Sequence, residues 1–255
     1  MEVSRIVVVT AGGPHVWAIV NAMRDRLGPV TVVLEEPESK RRLLMRRARK
    51  LGLIQVAGQL GTMVFTRLRK LLLSGRDQRG LARDGMEMEP RSDQRIVNVT
   101  SADSPELAEA VRRMQAEVVL LAGCRLLSKA TLAALPCPVL NYHAGITPKY
   151  RGMNGGYWAL ATGDAGNFGA TVHLVDAGVD TGDVLHQVRG TPQPGDNLTN
   201  YALRLAALSR DICIRGVEDA LEGRLAPLKP DMPSKQWYHP TIWFYLWTGL
   251  TKGVW

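Results

Sequence analysis

The sequence is short of the materials for several familiar architectures. Cysteine appears three times in 255 residues, at Cys124, Cys137 and Cys213. That is an odd number, widely spaced, without the close pairs that hold a metal or staple a small secreted domain. The expectation is a reducing, cytoplasmic setting and no metal. No apolar run approaches the roughly 20 residues that a membrane-spanning helix needs. The opening stretch, "MEVSRIVVVTAGG", carries an early acidic residue and a short apolar run; it reads as a first strand, not a secretion signal. Repeats, low-complexity tracts and a disorder-prone composition are absent too. What is there, 45% hydrophobic residues, suits one sizeable globular unit with a small appendage.

Net charge is +8, and the excess is local. From Lys40 to Arg83 there are thirteen Lys or Arg and one acidic residue, Asp77. Such a block can meet phosphates, an anionic surface or nucleic acid. It can also be a solvated helical face whose arginine stems cover apolar surface.

Along the chain, strands and helices alternate. "RIVVVT" is an apolar, β-branched run that suits a buried strand, with a turn and a helix over 14–26 behind it. "PVTVVLEE" is a second strand, and Ser39 is placed to cap the basic helix "KRRLLMRRARKLG". "MVFTRLRKLLLSG" predicts another basic helix, "RIVNVT" a short strand, and Ser104-Pro105 the start of a helix running to about 115. "AEVVLLAG" and "VLNYH" are strands with the short helix "SKATLAAL" between them. The alternation predicts an α/β fold with a largely parallel twisted sheet. After Gly152 come a short helix and two alternating strands, "GATVHLVD" and "DVLHQVRG", joined as a hairpin. Asn197 is the expected cap of a long helix with Leu198, Tyr201, Leu205, Leu208 and Ile212 on one stripe. A loose boundary near 225 separates a body, 1–225, from an aromatic-rich extension, 226–255.

Ligands in such folds bind beyond the carboxyl ends of the parallel strands. Three features converge there: Gly123 to Ser128, the strand end carrying Asn141 and His143, and Asp180 in the turn after "TVHLV". Strand alternation puts Asn141 and His143 on one side and Tyr142 on the other. A neutral His moves protons near pH 7, an Asn amide donates to an oxyanion at any working pH, and a nearby Asp orients the imidazole. Acyl transfer to an amine or water suits this trio. No Ser or Cys stands beside it as a nucleophile, so direct attack by the acceptor is expected. An Asn-x-His strand end and an Asp-Thr-Gly turn also have plain structural readings.

"NYHAGITPKYRG", followed by "GATVHLVDAGVDTGDVL", resembles the folate-dependent formyltransferase family. That family joins an Asn-x-His strand end and a Leu-Pro-x-Tyr-x-Gly loop to a Gly-x-Thr-x-His…Asp-x-Gly hairpin. It includes the glycinamide-ribotide, methionyl-tRNA and sugar-nucleotide enzymes. The resemblance covers roughly 117 to 190 and 1 to 35 and is absent from 36 to 95 and beyond 225. It implies a Rossmann-like formyltransferase fold and formyl-tetrahydrofolate as donor. It implies Asn141, His143 and Asp180 as the catalytic trio, with His173 a family histidine of packing or chemical role. Arg125, Leu126 and Leu127 would line the pterin slot through backbone groups, with Val139 as an apolar wall and the turn from Val175 through Asp176 and Gly178 to Val179 opposite. Lys149 and Arg151 join Thr10, Gly12 and Gly13 as candidate acceptor contacts. The Thr10–Pro14 segment replaces the relatives' Gly-rich phosphate loop; a phosphate at that helix N-terminus and a plain tight turn are both open. Gly145 stands where relatives carry the Ser of Ser-Leu-Leu-Pro.

The acceptor is reached by elimination. The some thirty residues beyond 225 do not alternate like the nucleic-acid-binding barrel of the tRNA enzymes, and the purine enzymes lack the basic block. An amine on a nucleotide-linked amino sugar is the expected acceptor, without nucleic acid. A glycinamide-ribotide-type acceptor is the alternative, and a non-catalytic folate or nucleotide binder is the alternative of another class. The aromatic tail is expected to be buried across a homodimer interface or on the body, with membrane-surface contact and sugar stacking as further readings.

Overall fold

The computed structural model describes residues 3–73 and 86–255; the basic residues Arg76, Arg79 and Arg83 lie outside that range. The first half alternates as expected: β1 (Ile6–Thr10), α1 (Pro14–Leu27), β2 (Val30–Glu35), α2 (Lys40–Leu51), α3 (Leu53–Leu73), β3 (Ile96–Val99), α4 (Pro105–Arg113) and β4 (Val118–Ala122). Then come α5 (Lys129–Ala134), β5 (Val139–His143), β6 (Arg151–Gly152), α6 (Gly155–Ala161), a 3-10 turn at Ala165–Asn167, β7 (Gly169–Leu174) and β8 (Val184–Arg189). The last elements are α7 (Tyr201–Leu221), β9 (Gln236–Trp237) and α8 (Ile242–Lys252).

Seven strands form one sheet in the order β3-β2-β1-β4-β5-β7-β8. The first five neighbours run parallel; β7 is antiparallel to β5, and β8 to β7. The chain winds outward from β1 in one direction through β2 and β3, then crosses to β4 on the other side. The crevice beyond β1 and β4 is therefore the topological switch point. Alternation along β1 divides the core: Ile6 and Val8 pack with α1 and α7, while Val7 and Val9 pack with α4 on the opposite face.

A third core is aromatic. Tyr150, Tyr157, Trp158 and Phe168 pack with Leu205 and with Tyr245 of α8, and Trp237, Phe244 and Trp255 lie against them. The Trp158 and Trp237 rings stack with centroids 4.5 Å apart. The tail thus packs on the body, and β9 pairs in parallel with β6 to make a small second sheet.

Four local expectations need correction. The helix predicted from about Met63 begins at Leu53 instead. Gly58 and Gly61 disguise it by lowering helix propensity, yet a Cβ at Gly58 would lie 2.3 Å from the Trp243 ring, and one at Gly61 3.1 Å from Ile242. These glycines are where α8 lands. Asn197 does not cap α7: its Oδ1 accepts the Thr199 N–H at 2.8 Å, and Asn200 occupies the cap position. Leu208 leaves the expected stripe for solvent. Ser39 precedes α2 but makes no side-chain capping bond.

Candidate active site

The site is assembled where β5 ends beside β7. In the antiparallel register Asn141 faces His173 and His143 faces Thr171. The turn between β7 and β8 then brings Asp180 over both strands, with its backbone in the left-handed region at φ 50. Asp176 shapes that turn, accepting from Gly178 N at 2.9 Å and from the Thr181 hydroxyl. A Cβ at Gly178 would fall 1.9 Å from Thr181 Oγ1, so any side chain there would displace Thr181 from its bond to Asp176.

Asp180 is the hub. Its Oδ1 accepts Asn141 Nδ2 at 3.1 Å, and its Oδ2 accepts the Gly152 N–H at 2.8 Å and lies 3.5 Å from His143 Nδ1. His173 Nε2 stands 3.5 Å from Oδ1. Burial on its own would raise the Asp180 carboxyl's pKa. The facing His143, with His173 and the Gly152 N–H, outweighs burial and holds it well below the usual carboxylate range.

The two imidazoles are oriented by carbonyls, which can only accept. His143 Nε2 meets Tyr150 O at 2.6 Å, so Nε2 carries the hydrogen and a neutral ring keeps its lone pair on Nδ1. His173 Nδ1 meets Leu174 O at 2.6 Å, leaving Nε2 to accept Asn141 Nδ2 at 3.0 Å. Both hydrogens of the Asn141 amide are therefore engaged, one by Asp180 and one by His173. Gly145 lies against this lattice. A Cβ there would sit 2.7 Å from His143 Nε2, 2.8 Å from Tyr150 O and 2.9 Å from Gly155 Cα. The glycine that departs from the family pattern is what lets the His143–Tyr150 bond and the Gly155 backbone share one space.

The trio opens into a cleft of about 800 Å³. One end is walled by Gly123–Leu127 after β4 and by the 175–179 turn, with Leu126 half-exposed or more at its rim. The other end is walled by Arg46, Arg47 and Lys50 of α2, by Met153, and by Gln236–Tyr238 of the tail. His15, at the start of α1, looks in from the side, and burial lowers its pKa so that the neutral ring is favoured. Arg47 is the notable cation. Burial and neighbouring Arg46 both press on its charge, and its side-chain contact is Met153 Sδ at 3.5 Å. Among the described residues it has no carboxylate within ion-pair distance, whereas Arg46 pairs with Glu38 at 3.0 Å.

Arg125 lines the cleft as expected; its N–H donates to Glu35 at 2.8 Å, and its guanidinium is tied to buried Glu35 at 2.7 Å and to the carbonyls of Glu36 and Thr100. Several other sequence-predicted residues stand elsewhere. Val139 is in the core under the cleft, not on its wall. Thr10 is fully buried and accepts the Gly12 N–H at 2.8 Å, so the 10–13 segment is a tight turn with its hydroxyl and one amide already used. Lys149 pairs with Asp164 at 2.6 Å. Arg151 braces the Asp180 turn, donating to Val179 O at 2.8 Å and to Ser234 Oγ at 2.9 Å. Conversely, Met153, Trp237, Tyr238 and the α2 cations line the cleft; only the charge run and the aromatic cluster hinted at them.

Comparison with known proteins follows the same lines. A formyl transferase domain model matches residues 4–217. Methionyl-tRNA formyltransferase of Solibacter usitatus is 30% identical over 128 residues, 50% of this chain and 41% of that protein. The chain spans less than half the length of the curated relatives it matches. Glycinamide ribonucleotide transformylase 1 from Symbiobacterium toebii superposes with a TM-score of 0.57 at 22% identity, covering 92% of each chain. The N-formyltransferase from Helicobacter canadensis, solved with folinic acid and dTDP-3-aminofucose, gives 0.57 at 11% identity over 92% of this chain and 70% of that one. At these identities the superpositions speak for the fold. With the domain match running from β1 into α7 and taking in Asn141, His143 and Asp180, the chain belongs to the formyl transferase family.

Proposed function

We propose that the protein transfers a formyl group from formyl-tetrahydrofolate to the primary amine of a phosphate-bearing acceptor, an amino sugar linked to a nucleotide. The observation that carries this is the Asn141–His143–Asp180 lattice at the floor of a cleft whose one wall holds Arg47, which has no carboxylate within ion-pair distance among the described residues. The slot between Gly123–Leu127 and the 175–179 turn would take the folate, largely through backbone groups. Arg47 and Lys50 would meet the acceptor's phosphates, and Trp237 and Tyr238 line the same cleft. The Helicobacter canadensis neighbour, solved with a folate and a nucleotide amino sugar, supports the same arrangement by likeness of fold.

In this reaction the acceptor nitrogen attacks the formyl carbon. A new C–N bond forms, the bond from that carbon to the folate nitrogen breaks, and one proton passes from the acceptor amine to the folate nitrogen. His143 Nδ1, the ring's free lone pair, receives the proton, and Asp180 steadies the imidazolium. Asn141 holds the developing oxyanion by giving up one of its two engaged hydrogens. The bond to neutral His173 Nε2 is the one to yield, because a charged oxygen is the stronger acceptor.

In this proposal residues 1–225 carry the catalytic groups and 226–255 form an extension that closes one end of the cleft, the whole working in the cytoplasm as a homodimer. The test is formyl-folate turnover with a panel of nucleotide-linked amino sugars, glycinamide ribotide and methionyl-tRNA. Turnover restricted to the last two would overturn the sugar assignment. Folate binding without turnover on any amine would favour a binder of the same fold. Sedimentation equilibrium tests the dimer.

A further inference from the structure

Helix α3 is apolar on two faces, and among the described residues one of them is left uncovered. Its inner face receives α8: Gly58 lies under Trp243, Phe65 meets Tyr245 edge-on at 5.9 Å, and Thr62 Oγ1 donates to Pro240 O at 2.9 Å. Its outer face is the stripe Leu53, Leu60, Val64 and Leu68, flanked by Ile54, at helical spacing and open to solvent; Leu53 and Ile54 are 78% and 80% exposed. On α8 the patch continues through Trp243 and Trp247, both half-exposed, and Leu250 at 78%. A surface helix ordinarily turns a polar face outward, and contiguous apolar patches of this kind mark contacts.

From these observations we infer that the outer face of α3 and α8 is a docking surface for an anionic lipid bilayer. The charge pattern selects this occupant. From Lys40 to Leu73 there are ten Lys or Arg and no Asp or Glu, and from Met232 to Trp255 two Lys and no Asp or Glu. A second copy of the same face would set cation against cation across a two-fold axis. An anionic bilayer accepts both the apolar stripe and the net positive charge of the two segments that carry it, and paired tryptophans suit the headgroup level. No described helix is long and apolar enough to cross a membrane, so the contact lies in the plane of the interface. Trp243 and Trp247 also line a shallow groove of about 530 Å³ that shares Gln236, Trp237 and Tyr238 with the catalytic cleft. Docking therefore brings the cationic end of the cleft beside the lipid headgroups.

The experiment is co-sedimentation of the full chain with vesicles of phosphatidylcholine alone and of phosphatidylcholine mixed with phosphatidylglycerol. The chain is expected to sediment with the anionic vesicles, to be released as salt rises, and to show blue-shifted tryptophan emission when bound. The double variant Ile54→Gln/Leu250→Gln should lose binding about tenfold or more, consistent with two large apolar side chains leaving lipid contact. It should keep its circular dichroism and its formyl transfer in vesicle-free buffer. A chain that stays in the supernatant with both vesicle types overturns the inference, as does a double variant that sediments like the parent. A dimer that the double variant splits, with no vesicle binding, would assign the face to self-association instead.

Discussion

His143 and Asp180 share an imbalance: Nδ1 of the histidine lies 3.5 Å from Oδ2 of the aspartate, while the histidine's Nε2 is held by Tyr150 O at 2.6 Å. The carboxylate is close enough to stabilise a charged ring and, as an acceptor only, cannot bond the Nδ1 lone pair of the neutral one. The ring's basic nitrogen is thus left for a substrate proton. Replacing His143 with Ala, or Asp180 with Asn, should lower kcat in a formyl-folate assay by about a hundredfold or more, the scale of losing a positioned acid-base or oxyanion group. Near-normal turnover in both folded variants would remove the assignment.

The Asp180 charge should also be visible in stability. Its pKa is depressed in the fold, so its contribution is present above the unfolded value near 4 and is lost as pH falls through the lower, folded value. Urea unfolding of the parent and of Asp180→Asn should show the parent's advantage full at pH 7 and shrinking below about pH 4. An advantage that grows with acidity would contradict the sign.

Gly145→Ala places a methyl 2.7 Å from His143 Nε2 and 2.9 Å from Gly155 Cα. Overpacking of this kind costs about 1–3 kcal/mol, and here it should also displace the imidazole. The expected result is a lower Tm together with reduced kcat at unchanged folate affinity. A variant as stable and active as the parent would mean that the Gly145–Gly155 contact relaxes freely.

Arg47→Ala should raise KM for an anionic acceptor by about tenfold or more while leaving kcat within a few-fold, because the lost contact serves ground and transition states alike. Arg47→Lys should recover part of it, lacking the planar fork. An unchanged KM would place the phosphates elsewhere in the cleft.

How much of this was legible in the sequence follows from how each residue is held. Asn141 and His143 are readable because strand alternation alone sets their shared side, and β1, β4 and β5 because β-branched runs have few other uses. Asp180 is readable through its turn chemistry. Lys149 and Arg151 mislead because a cation near a site looks the same in sequence whether it faces the ligand or a carboxylate or carbonyl: Asp164 and the Asp180 turn claim them. Val139 misleads because depth below a cleft has no sequence signature. Trp237 and Tyr238 reach the cleft through a two-residue strand pair, too short to leave a periodicity. The Gly58–Trp243 contact, which explains an otherwise helix-poor stretch, joins segments with no local relation.

The β6–β9 pairing has a consequence for the order in which the molecule comes into being. Gly152, whose N–H holds Asp180, is itself held by Trp237, whose carbonyl accepts from Met153 N at 2.9 Å. On a chain made from its N-terminus, the sheet and the Asn141–His143 strand end are complete long before residue 237 emerges. A nascent chain can thus possess its whole parallel core and still lack the brace on its central carboxylate, so formyl-transfer competence should arise late, as a final tightening of an already folded body.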